Sequence, residues 1–99
     1  MANTLGPSHV KQRLSLPSGE QIVLVDLLNY PKLERGRNIY RLDRRGEILW
    51  RVSSLYDAEG SPFTQLHDEA GQLTAYRWDG GTYGIDAVTG AATPLRLDR

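Results

Sequence analysis

Short stretches in which apolar and polar residues alternate run along most of this chain, and glycines separate them about every ten residues. Alternation with a period of two predicts β-strands, and regularly spaced turn residues between them predict an all-β chain. Segment 26–35 comes closest to a helical pattern, but Pro31 interrupts it. We therefore predict an antiparallel meander of seven or eight short strands, in sequential order, joined by Asp/Gly hairpin turns.

The segment 38–52 has the clearest hairpin pattern. Asp43 begins a turn and Gly46 ends it, which is typical of a type I turn followed by a left-handed glycine. The residue pairs predicted from this turn are Asp43–Glu47, Leu42–Ile48, Tyr40–Trp50 and Asn38–Val52. The aromatic residues would then share one buried face, and Arg41 and Arg51 would share the other.

A second hairpin is predicted over residues 76–85. A tight turn at Gly80 and Gly81 would place Trp78 opposite Tyr83, and Tyr76 opposite Ile85. Arg77 would point away from these aromatic residues. Further turns are predicted at 16–21, 56–60, 67–71 and 86–90. The face with the arginines also has Ile39, Leu49, Leu73 and Ala75, so we expect it to pack on the N-terminal strands, a second copy of the chain or a partner.

Composition limits the classes of function. The 99 residues include twelve basic and twelve acidic side chains and no cysteine. The zero net charge gives no general attraction to nucleic acid or to an anionic membrane, and disulfides, thiolate metal sites and a cysteine nucleophile are excluded. No apolar run has the length of a signal peptide or a membrane span. We expect one cytoplasmic domain, residues 1–99, with no cofactor and no membrane partner; whether residues 1–9 are ordered is left open.

Two segments, "LDRRGEILW" (42–50) and "IDAVTG" (85–90), belong to longer stretches, 36–52 and 80–97, that resemble blades of the quinoprotein-type β-propellers. In those blades an Asp-turn-Gly hairpin precedes a tryptophan that docks onto the next blade. Trp50 takes that place in the first copy, and Pro94 falls near it in the second. The resemblance implies blade-like hairpins in a chain too short to close a propeller alone. No counterpart of the quinone or calcium ligands is recognisable, so the resemblance implies no activity.

Three groups of residues could carry catalysis. His67, Asp68 and Glu69 combine an imidazole with carboxylates, as a general base or a metal site would. The other groups are the aspartates Asp43, Asp79 and Asp86 and the serines Ser53 and Ser54. We favour structural roles for all of them, because the acidic residues fall at predicted turns and no glycine elbow surrounds the serines. We therefore predict no catalytic residue and no metal site.

The segment 32–51 has seven basic and three acidic residues. Arginines on an outer face could bind phosphates or an acidic protein surface, or could only keep a sheet edge soluble. We predict binding residues at Arg37, Arg41, Arg51 and Arg77 in a non-catalytic interaction module that binds a protein partner or self-associates. One version is an inhibitor or immunity-type protein.

A different class of function stays open. A ligand-binding or hydrolytic domain could use a pocket on a sheet face with Tyr30, Tyr56, Tyr76 or His67. Nucleic-acid binding is the least supported function, because the net charge is zero and no aromatic-rich binding motif accompanies the arginines.

Overall fold

The computed structural model describes residues 10–26, 32–54, 60–69, 71–78 and 80–97. Within them the chain forms, in order, β1 (Val10–Ser15), β2 (Gln21–Val25), α1 (Lys32–Arg35), β3 (Ile39–Leu42), β4 (Ile48–Arg51), β5 (Phe63–Glu69), β6 (Gln72–Arg77), β7 (Gly81–Ile85) and β8 (Ala92–Leu97). Strands β1–β4 form sheet 1 and β5–β8 form sheet 2, each in sequential order with antiparallel neighbours. The prediction of an all-β meander is confirmed, with a helix of only four residues, and neither sheet closes.

Aspartate and glycine make the turns as predicted. The Asp43 carboxylate accepts hydrogen bonds from the backbone N–H groups of Arg45 and Glu47, at 2.8 and 2.9 Å. Gly46 has a φ of 86°, in the left-handed region that favours glycine. The Asp86 carboxylate likewise accepts hydrogen bonds from the backbone N–H groups of Val88 and Thr89, in the turn that Asp86 begins. These side chains therefore stabilise the hairpins locally.

The predicted register of the first hairpin is only partly correct. The observed pairs are Leu42–Ile48, Arg41–Trp50 and Tyr40–Arg51. β4 has a bulge, one extra residue, between the first two pairs. Beyond the bulge, each side chain of β4 points to the face opposite the predicted one. Tyr40 therefore lies with Leu42 in one cluster, whereas Trp50 packs on the other side, against a different cluster. The prediction that these two aromatic residues share a buried face is wrong.

The second hairpin also differs from its predicted register. The observed pairs are Thr74–Gly84, Ala75–Tyr83 and Tyr76–Thr82. The turn begins at Arg77, whose carbonyl accepts the Gly80 N–H at 3.0 Å, and Gly80 has a φ of 93°. Gly80 thus ends a turn like that at Gly46, instead of forming a two-glycine turn with Gly81. As a result, Arg77 and Tyr83 are buried, while Tyr76 is exposed.

The main core lies between the two sheets. It is built from buried residues of both, which are Ile22, Leu24, Ile39, Val52, Phe63, Leu66, Leu73, Ala75, Tyr83, Ile85 and Ala92. A smaller cluster of Val23, Val25, Tyr40 and Leu42 lies on the opposite face of sheet 1. Of the apolar residues that were predicted on the face with the arginines, Ile39, Leu73 and Ala75 pack between the sheets. The fourth, Leu49, is exposed.

Two side-chain amides join sheet 1 to the edge of β5. The Asn38 amide donates to the carbonyls of Val25 and Phe63 and accepts the Phe63 N–H, at 3.0, 2.8 and 2.9 Å. The Gln12 amide makes the corresponding pair of bonds with Leu66, both at 2.8 Å. Each amide therefore satisfies the backbone donor and acceptor that a neighbouring strand would otherwise bind.

A second junction between the sheets is made by Trp50 and the 86–90 turn. The Trp50 indole N–H donates to the Ala87 carbonyl at 2.8 Å. A Cβ at Gly90 would lie 2.5 Å from Cε3 of Trp50. Next to this contact, Ser53 forms a parallel bridge with Ala91. The ring therefore requires a glycine beneath it.

We expect the substitution Gly90→Ala to lower the free energy of unfolding by about 3 kcal/mol, because a left-handed alanine and a displaced tryptophan both destabilise the fold. Gly46→Ala is the matched control: its φ of 86° is similar to the 80° of Gly90, and nothing lies within 4 Å of its added Cβ. The control should cost about 1 kcal/mol. Urea unfolding measures both, and equal losses would contradict a close Trp50–Gly90 contact.

We also expect Asn38→Leu to lower the free energy of unfolding by about 3 kcal/mol, because it leaves the N–H and carbonyl of Phe63 buried without partners. Gln72→Leu changes an exposed amide on sheet 2 and should cost less than about 0.5 kcal/mol. Hydrogen exchange at the Phe63 amide gives the local measurement. Unchanged protection there would show that the Asn38 bond does not hold the edge of β5.

Candidate functional site

The four arginines predicted as binding residues do not form one surface. Arg77, at the end of β6, is completely buried between the sheets. Its guanidinium donates to Ser61 O, Ser54 Oγ and Gly36 O, each at 2.8 Å. The prediction that Arg77 projects from an outer face is wrong, because the turn begins at this residue and directs its side chain inward.

The Arg77 guanidinium also lies over two aromatic rings, 4.5 Å from the centroid of Phe63 and 5.2 Å from that of Tyr83. These rings are themselves in edge-to-face contact, with centroids 5.3 Å apart. Oxygen acceptors and aromatic faces together offset the loss of water around the buried cation. These contacts indicate a structural role for the Arg77 side chain.

The side chains of Arg41 and Arg51 lie on opposite faces of sheet 1. The bulge in β4 shifts the register, so that Arg51 is paired with Tyr40 and Arg41 with Trp50. Arg41 pairs with the Glu20 carboxylate and donates to the Ala87 carbonyl. Arg51 pairs with Glu34 at 2.7 Å and lies 5.2 Å from the centre of the Tyr40 ring. Arg37 donates to the Val52 carbonyl at 2.9 Å. The predicted common face for Arg41 and Arg51 is wrong; a binding role for any of the four remains a prediction.

A cavity of about 440 Å³ lies where the two sheets meet. Its apolar wall includes Val25 of β2, Pro62 and Phe63 at the start of β5, and Trp78, which follows β6. Phe63 is fixed by its backbone bonds to Asn38. Cavities that bind small molecules in proteins have volumes of roughly 300–1,000 Å³. We call this space the inter-sheet cavity.

Three charged residues line the same cavity: Lys11 of β1, Asp26 after β2, and Arg35 at the end of α1. The described lining therefore has an excess of one positive charge. Nε of Arg35 is shut off from solvent and has no hydrogen-bond partner among the described residues. Buried donors in folded proteins are nearly always satisfied, so this atom marks a place where an acceptor would stabilise the protein.

A second recess, shallow and of about 460 Å³, lies on the solvent side of sheet 2. We call this surface the outer face; its residues include Gln65, His67, Thr74, Tyr76, Thr82 and Leu95. Tyr76 and Leu95 are 38% and 55% exposed. Among the lining residues that the structure describes, none is Asp, Glu, Lys or Arg. This surface offers amide, hydroxyl and apolar groups.

The catalytic candidates do not converge in the part of the chain that the structure describes. His67 and Asp68 are strand residues of β5, paired with Thr74 and Leu73, so the predicted turn at 67–71 is shorter than expected. Adjacent residues of a strand point to opposite faces, which separates this imidazole from the Asp68 carboxylate. His67 lines the recess of the outer face together with Tyr76.

The remaining candidates have structural contacts where they are described. Asp43 and Asp86 bind their own turns, and Ser54 accepts a bond from Arg77. Across the described ranges no group of three His, Cys, Asp or Glu residues could hold a metal ion. Outside those ranges lie Tyr30, Tyr56, Asp79 and most of the predicted 56–60 turn. No described helix is long and apolar enough to cross a membrane.

Sequence analysis missed the residues of the inter-sheet cavity. Lys11, Arg35 and Trp78 are distant in the chain and follow no shared spacing. Gln12, beside Lys11, reaches a partner 54 positions away. The local pattern has no signal for contacts of this kind.

Comparison with known proteins identifies a family without a known activity. No curated protein and no solved structure matches this chain. The model of the family described as Domain of unknown function (DUF7957) matches residues 8–97, and the chain therefore belongs to that family.

Proposed function

We propose that this protein is a non-catalytic interaction module that self-associates through the outer face of sheet 2. The observation that carries the proposal is the exposure of Tyr76 and Leu95 at a recess whose described lining includes no Asp, Glu, Lys or Arg. Exposed aromatic and aliphatic groups in one recess are typical of surfaces that bind other proteins. The opposite face of the same sheet is buried in the core.

The chemistry of the outer face favours a second copy of the chain. In a two-fold dimer the same surface is present on both molecules, so a charged face would repel its own copy. Here the polar groups are Gln, Thr, Tyr and His side chains, most of which can both donate and accept hydrogen bonds. Such a face is able to complement itself. A different protein with an uncharged surface is the alternative occupant.

The other functional hypotheses have less support. A hydrolase would need a group to activate or orient His67, and no carboxylate is found among the described lining residues of its recess. An inhibitor that holds an acidic target would use the arginines, but those have internal contacts. The likeness to propeller blades remains a prediction that the contact of Trp50 with Gly90 supports. Cytoplasmic location also remains a prediction.

We expect the protein to form dimers at high concentration, and Tyr76→Glu to weaken this association at least tenfold, because two carboxylates would then face each other. Sedimentation velocity over a concentration series measures the association. Val88→Glu adds the same charge in the 86–90 turn, at a residue that is 81% exposed, and should leave the association unchanged.

Amide NMR spectra over the same concentration series locate the interface. Concentration-dependent shifts should be found at Gln65, His67, Tyr76 and Thr82 and not around Val88. A protein that stays monomeric at all concentrations would refute self-association. A photo-crosslinking residue would then be introduced at position 76, with position 88 as the control, in the cells that produce the protein. Comparing the crosslinks formed from the two positions tests for a different protein partner at this face.

A further inference from the structure

We infer that the inter-sheet cavity is a binding site for a small organic anion, namely a carboxylate attached to an apolar or aromatic body. The cavity is separate from the outer face and does not depend on its function. Its residues come from both sheets and from α1, so the packing of the sheets creates the site. A ligand there would contact elements that are distant in the sequence.

The positive charges of the cavity select an anion. Among the lining residues that the structure describes, Lys11 and Arg35 outnumber Asp26, and this excess of one charge matches a single carboxylate. The guanidinium of Arg35, which lines the cavity, is a donor group for such an acceptor. A carboxylate oxygen is the acceptor with which a guanidinium makes its strongest bonds. A phosphate dianion would need more compensation than these residues give, because Asp26 repels it as well.

The apolar wall selects what the carboxylate is attached to. Trp78 lines the cavity and is 73% exposed, which is unusual for the largest of the apolar side chains. Together with Pro62 it provides a surface on which a flat hydrocarbon ring can pack. The combination of two cationic side chains and an exposed indole fits an arylalkanoic acid in size and chemistry.

Phenylacetate is a suitable probe, and phenylacetamide is its uncharged match. In NMR titrations of the full chain, phenylacetate should shift the indole N–H resonance of Trp78 with saturation. The resonance of Trp50, which is bound to the Ala87 carbonyl, should not move. Phenylacetamide should bind at least tenfold more weakly, because it lacks the charge that Arg35 and Lys11 attract. Inorganic phosphate should cause no saturable shift at Trp78.

Arg35→Gln and Lys11→Met should each weaken phenylacetate binding about tenfold. Arg45→Gln, which changes an exposed arginine in the 43–46 turn, should bind as the original protein does. Lys11 is exposed on β1, so Lys11→Met decides the matter if Arg35→Gln does not fold. Equal binding of phenylacetamide, unchanged binding in Lys11→Met, or no shift at Trp78 would each overturn the proposal.

Discussion

At the edge of β5, side-chain amides take the place of a neighbouring strand, and the arrangement of the two sheets depends on these amides. Asn38, almost fully buried, binds Val25 of its own sheet and both backbone groups of Phe63 on the other. A buried backbone group without a partner would destabilise the fold, so β5 can lie against sheet 1 here because these amides satisfy its edge. The position of β5 against sheet 1 and the wall of the cavity at Phe63 depend on this contact.

Local chemistry was sufficient to predict the class of fold. The aspartate and glycine of the 43–46 and 86–90 turns act within a few residues, so the sequence indicates them directly. The pairing of strands was harder to predict. The bulge in β4 and the turn that begins at Arg77 set the observed registers, and neither leaves a mark in the alternation of apolar and polar residues. A shift of one residue in register is enough to move an aromatic side chain to the other face.

The positions of the candidate site residues were even harder to predict from the sequence than the pairing of strands. Tyr76 and His67 lie on one exposed face, whereas the predicted register placed Tyr76 with the buried aromatic residues and His67 in a turn. The arginines were misplaced because charge alone suggests exposure, whereas Arg77 finds three oxygen acceptors that belong to three separate segments. The inter-sheet cavity could not be predicted at all, because its walls meet only after both sheets have packed.

The position of Arg77 has a consequence for whether either half of the chain can exist alone. Its guanidinium belongs to the second half, while two of its acceptors, Gly36 and Ser54, are supplied by the first half. A separated second half would lack both of these oxygen acceptors and the sheet that covers its apolar face. The pair of sheets is therefore the smallest piece that we expect to fold cooperatively.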